Sequence, residues 1–306
     1  MSASGTSPPK PPATAGSLAG AAYRLLVTTS AGHVQQVAKL AADVASFAAL
    51  GEDSRLPEAV ETLQAGVDAM RLGAADPQTG WLARASGKDR DARGNVAAQC
   101  LQFESERDQV EAEAREVLGR WDAHAAAARR MLVEFVVEVQ ALERTLVTAA
   151  KLLRDMKRAM RKERTLADTG VAHLELQAMG ERAEAIHARL RLYEAVPRTA
   201  HQVHRLAQDI TSRRAALATV LQNDLTRHAD RFHERLQRLQ AVAPGPARPA
   251  AGDALELAEE GRKNLQMWLA QTSSTCIRLQ HLEHQAAHTI AKLRERAAAA
   301  LASTPS

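Results

Sequence analysis

His281, His284 and His288 recur at i, i+3 and i+7, a spacing that puts three imidazoles on one face of a helix. Neutral imidazoles so placed can chelate zinc or copper, and Cys276 lies a little over a turn upstream. The pairs His201 and His204, and His228 and His233, add further ring nitrogens elsewhere. No HExxH and no carboxylate pattern accompanies them, so polar surface or seam histidines are the favoured reading. A metal or metalloid site at His281, His284 and His288 is the sharper alternative.

A second set is cationic. Lys151, Arg154, Lys157, Arg158, Arg161, Lys162 and Arg164 are interrupted only by Asp155 and Glu163. They lie opposite Leu153, Met156 and Met160, so Lys151, Arg154, Arg158 and Arg161 could rest on an anionic membrane surface or on phosphates. The plainer reading is a solvated face whose charge suits a helix C-terminus. The absence of interleaved aromatic residues argues against nucleic acid.

The remaining chemistry is thin. The run Gly80 to Lys88 superficially resembles a phosphate-binding loop, but six residues separate Gly80 from Gly87 and Asp89 follows the lysine. No serine or cysteine has the setting of an activated nucleophile, and no carboxylates pair for acid–base work. The expectation is a non-enzymatic protein without a cofactor.

Composition points the same way. Of 306 residues 45% are hydrophobic, yet only 3% are aromatic, so the material suits thin helix-on-helix layers. Forty basic against 36 acidic residues give +4, too mild to mark a nucleic-acid binder. Cys100 and Cys276 stand far apart with no CxxC pair, which fits a reducing cytoplasm. No signal peptide is recognisable, and no run approaches the roughly 20 apolar residues of a membrane span.

The elements that must carry these residues are helices. Residues 1–20, with Pro8-Pro9-Lys10-Pro11-Pro12, read as a disordered tail. Residues 21–94 hold two short amphipathic helices, marked by Val34, Val37, Leu40, Val44, Phe47 and by Val60, Leu63, Val67, Met70 after Pro57. A connector anchored by Trp81 and Leu82 follows them. From Asn95 to about Arg164 one long helix is expected, roughly 100 Å at 1.5 Å per residue. Its seam runs Val110, Ala114, Val117, Trp121, His124, Ala128, Met131, Phe135, Val139, Leu142, Leu146, Ala149, Leu153, Met156, Met160, with a stutter at Met131–Phe135–Val139. Asp168-Thr169-Gly170 makes the turn. The return arm resumes the rhythm from Leu176 to Leu239, with Pro197 expected to kink it or start a new helix.

Residues 95–242 thus read as a long antiparallel, coiled-coil-like helical hairpin. Residues 243–253 read as a Pro-rich linker. Residues 254–300 read as a C-terminal helix with the seam Leu265, Trp268, Thr272, Thr275, Leu279, Leu282, Ala286, Thr289, Leu293. The threonines make that seam more polar than the others, so it could pack loosely, close on the hairpin, pair with a second copy or take a partner.

The layout resembles the toxic-anion-resistance (tellurite-resistance, TelA-like) family. Gly32, Gln35 or Gln36, Asp43 and the helix Pro57 to Leu72 resemble that family's opening helices. Asp76-Pro77, Leu82 and Gly87-Lys88 resemble its connector, and Val196-Pro197-Arg198 with Gln202-Val203 its hydrophobic-Pro-x-Arg step. The family's aromatic-rich segment after the Gly-Lys turn has no counterpart in Asn95 to Phe103. The resemblance implies a cytoplasmic helical protein of tellurite or other stress tolerance, with no catalytic residues to transfer.

Three functions follow as expectations. The leading one is an all-α scaffold or interaction protein with protein partners. The second is a membrane-surface coiled coil using the basic helix, and the third is the histidine-based metal binder.

Overall fold

Apolar residues three and four apart form helices throughout, and no strand occurs among the described residues, so the chain is all-α. A computed structural model describes residues 14–72, 88–166, 170–242 and 248–302, with 88–96, 166, 170–172 and 248–251 described by backbone alone. The connector with Trp81 and Leu82, the Asp168-Thr169 turn, residues 1–13 and residues 243–247 lie outside them.

The elements are α1 (Ala15–Arg24), a π turn (Leu25–Ser30), α2 (Ala31–Ala48), a 3-10 turn (Ala49–Gly51) and α3 (Leu56–Ala69). Then come α4 (Lys88–Leu166), α5 (Gly170–Thr219), a second π turn (Val220–Leu225), α6 (Thr226–Val242) and α7 (Arg248–Ala302).

Part of the expected tail is helix. Thr14 caps α1 by accepting from the Ser17 amide at 3.3 Å, and Ala15, Ala19 and Ala22 are buried. The small residues that read as a solvated tail are the ones that let α1 pack closely. Pro197 sits inside α5 without ending it. The carbonyl of Ala195, two residues earlier, accepts from the Thr199 hydroxyl at 3.2 Å and from Arg296 at 3.3 Å, so side chains bond the backbone beside the proline. The last helix begins at Arg248, before the expected cap at Asp253.

The buried row of α4 also departs from expectation. Leu132, not Met131, is buried, His124 is exposed, and Ala125 takes the half-buried place. The extra four-residue step therefore falls at Trp121–Ala125. From Ala128 through Leu132, Phe135, Val139, Leu142, Leu146, Ala149 and Leu153 to Met156 the alternation of four and three is unbroken.

The two π turns have one cause. Along α1 and α2 one buried row runs Ala15, Ala19, Ala22, Leu26, Ser30, Val34, Val37, Ala41, Val44, Ala48, with Ala31 and Leu40 buried beside it. The step from Leu26 to Ser30 is one residue longer than the repeat allows. Along α5 and α6 they run Ile210, Arg214, Leu217, Leu221, Leu225, Ala229, Phe232, Leu236, Leu239, with the same surplus between Leu221 and Leu225. A π turn absorbs one extra residue without ending the helix, and each π turn spans its surplus step. Thr226 donates to the Leu221 carbonyl at 2.8 Å, a bond across the bulge.

The chain divides into two compact units. Unit 1 comprises residues 1–46, 128–205 and 286–306, and unit 2 residues 47–127 and 206–285. In unit 1 α4 and α5 run antiparallel: Lys157 bonds Glu184 at 2.9 Å, and His201 lies 2.9 Å from Glu143. His33 of α2, 2.5 Å from Glu138, fixes the first helices on α4, and Arg296 bonds the Thr199 hydroxyl to bring α7 onto α5. In unit 2 Phe103 of α4 meets Phe232 of α6 edge-on at 5.1 Å, and His228 stacks on Trp268 of α7 at 5.5 Å. The C-terminal helix thus packs on the return arm in both units. In unit 2 Gly261 makes the approach close, since a Cβ there would lie 3.2 Å from the Phe232 ring.

Candidate functional site

Among the described residues, the buried charged side chains lie in unit 2. Arg214 fills the seam position between Ile210 and Leu217 and is only 4% exposed, and Glu283 of α7 is 2% exposed. One guanidinium nitrogen donates to Glu283 Oε1 at 2.6 Å and to the Ala48 carbonyl at 2.9 Å; the other reaches the Phe47 carbonyl at 2.9 Å. Those carbonyls lie at the end of α2, so the arginine adds bonds to a helix C-terminus and meets its negative pole. The Phe47 and Trp121 rings lie 4.8 and 5.5 Å from the guanidinium carbon.

Gly51 makes room for the carboxylate: a Cβ there would lie 2.7 Å from Glu283 Oε1. Burial pushes the Glu283 carboxyl up, against the pull of Arg214. The same burial, with Glu283 and Glu61 nearby, pushes the Cys276 thiol up to about 12. With both charged side chains almost wholly buried, the layer ties α2, α5 and α7 together and presents little surface to a substrate. The sequence signal for it was the seven-residue gap from Ile210 to Leu217 in the apolar row, and the buried row of α7 passes through Cys276 and Glu283 rather than Thr275 and Leu282.

The accessible surface with a pattern is the outer face of α4 in unit 1. Arg130, Val133, Val137, Gln140, Arg144, Val147, Lys151, Arg154, Arg158 and Arg161 are all exposed and follow one another by alternating steps of three and four. This second stripe turns away from the buried row. Its valines are 61%, 53% and 67% exposed, respectively. Around Gln140, Glu143, Arg144 and Val147 the surface forms a shallow concavity of about 450 Å³. The basic end of this stripe is legible in the sequence and its valines are not, because the inner seam has the same periodicity.

The expected basic face is where the spacing put it. Lys151, Arg154 and Arg161 are exposed, while Arg158 is 3.4 Å from Asp155 and the neighbouring Lys157 is held by Glu184. The histidine row is not drawn together into a site. His281, His284 and His288 are exposed on α7, and the His284 Nδ1 bonds the Gln280 carbonyl of its own helix at 2.8 Å. Among the described residues no group of three or more His, Cys, Asp and Glu side chains is arranged to hold a metal ion. His201 faces Glu143, and burial lowers the pKa of His204 with help from the charge of His201.

No helix among the described residues is long and apolar enough to cross a membrane. Among known proteins no family model, no curated sequence and no solved structure matches this chain.

Proposed function

We propose that this chain is a non-enzymatic helical interaction protein whose outer α4 stripe receives a partner helix. The observation that carries this reading is the exposed row Val133, Val137 and Val147 at coiled-coil spacing, on a helix whose opposite row is already buried. The stripe's own positions hold Arg130, Arg144, Lys151, Arg154, Arg158 and Arg161 and no acid, and Glu143 at the margin of its concavity is paired with His201, so the stripe favours a partner helix with acidic residues beside its apolar ones. A second copy would set these cations against their own kind. The resemblance to the toxic-anion-resistance family makes tellurite or related stress the proposed setting, and a cytoplasmic one.

The stripe also discriminates against membrane docking. Surface-seeking helices present leucine, phenylalanine or tryptophan on a broad face, whereas this stripe is narrow and its apolar residues are valines. The deciding experiment replaces Val133, Val137 and Val147 together by serine in the full chain, with helicity checked by circular dichroism. Cross-linking in the native cells should join the wild-type chain to one reproducible partner through residues 130–151. Burying three valines is worth enough that the variant should bind that partner at least about tenfold more weakly. Equal binding by the variant, or no partner at all, defeats the reading. Flotation with anionic vesicles that is lost in R154E/R158E/R161E would replace it by the membrane one. Unchanged tellurite tolerance after gene deletion would remove the setting and leave the surface standing.

A further inference from the structure

We infer that unit 1 carries a binding slot for an amphipathic carboxylate between α1 and the start of α5. The two helices run parallel there: Ala15 with Glu163 and His33 with Glu138 set the first helices antiparallel to α4, as α5 also is, and Arg189 lies over the Tyr23 ring at 5.5 Å. Counting back seven residues on each sets Gly16 level with Arg182. Two helical turns, about 10 Å, separate those levels. Between them lies a cavity of about 450 Å³, floored by the buried Leu26 of the first π turn. That volume falls within the range of small-molecule sites.

The slot exists because α1 lines it, short of the Tyr23 end, with only Gly16, Ala19 and Gly20. A Cβ built at Gly16 would meet nothing within 4 Å, and one at Gly20 only the Arg24 guanidinium at 3.9 Å. Neighbouring helices normally close such a space at interior density. Its walls are apolar, so the body of the ligand must be apolar too.

The charges at the ends fix the other half of its chemistry. Arg182 is exposed at the Gly16 level, beside the N-terminal, positive end of α1. The near carboxylate Glu163 already accepts from the Ala15 amide at 3.3 Å. Arg189 lies on the Tyr23 ring, which makes that end an aromatic stop. An acyl or arylalkyl carboxylate fits: its head takes the planar fork of Arg182, and its tail runs past Gly16 and Gly20 to Tyr23. This proposal stands apart from the α4 stripe and survives if that reading fails.

The test titrates the full chain with dodecanoate, 1-dodecanol and dodecyltrimethylammonium by calorimetry, the two ions below their micelle concentrations and the alcohol below its solubility limit. Dodecanoate should saturate one site in the micromolar range, and the alcohol and the cation should bind at least tenfold more weakly. Gly20→Leu fills the slot while improving helix propensity, so the variant should melt no lower than wild type and lose at least tenfold in dodecanoate affinity. Arg182→Glu should lose dodecanoate affinity and leave dodecanol unchanged. Phosphatidate vesicles form a separate arm: binding to vesicles with equal strength by Gly20→Leu, and none to free dodecanoate, is surface adsorption and overturns the slot. Equal affinity for dodecanol and dodecanoate, or undiminished binding by Gly20→Leu, overturns it as well.

Discussion

At the scale of single residues, the buried Arg214–Glu283 pair is a device of specificity more than of stability. Two charges withdrawn from water each lose hydration worth several kcal/mol, which a 2.6 Å contact and two carbonyl bonds only offset. Removing one partner strands the other, so Arg214→Met or Glu283→Leu alone should cost about 3–5 kcal/mol. The double replacement should recover that loss and match or exceed wild type, as followed by urea unfolding. A double variant as unstable as the singles would show that the arginine's hold on the end of α2 dominates. The layer also shields Cys276, whose thiol is pushed up to about 12 by burial. Iodoacetamide at pH 8 should leave Cys276 unmodified in the native chain and label it within minutes once urea unfolds the protein.

At the scale of elements, the sequence displayed the rhythm and concealed its interruptions. The all-α class, the antiparallel arms and the row from Phe135 to Met156 were legible because leucine, methionine and alanine recur at fixed steps. Arg214 and Glu283 escaped because a charged side chain in a seam reads as a gap. Helix α1 escaped because Gly16, Ala19 and Gly20 carry no large apolar side chain to mark it. The valines of the outer stripe escaped because two stripes on one helix share one period. The surplus step from Leu221 to Leu225, which the Val220–Leu225 turn takes up, is the clearest testable instance. Deleting the exposed Asn223 should restore the repeat, convert the π turn to regular helix and leave stability within about 1 kcal/mol of wild type. Deleting the equally exposed Arg191, where the repeat is regular, should swing the following seam out of its groove and cost more than about 4 kcal/mol. Equal melting temperatures for the two deletions would refute the origin assigned to the π turn.

At the scale of the whole chain, a core poor in rings and rich in alanine leaves stability exposed to small electrostatic changes. Each unit holds a histidine whose proton affinity is lowered: His204 by burial and then by His201, and His228 by burial and then by Arg231 and Arg227. The sign follows from linkage. A histidine with a folded pKa below its unfolded value takes up protons more readily when the chain unfolds. Its stabilising contribution is whole above the ordinary value near 6.5 and is lost as pH falls through the depressed folded one. Melting followed by circular dichroism from pH 7.5 to 5.0 should therefore fall more steeply for wild type than for H204Q/H228Q. The single variants should divide the difference, because the two rings lie in different units and share no partner. Parallel pH profiles for wild type and the double variant would mean that neither ring is held in its neutral form by the fold, and that acid acts on this bundle through its carboxylates.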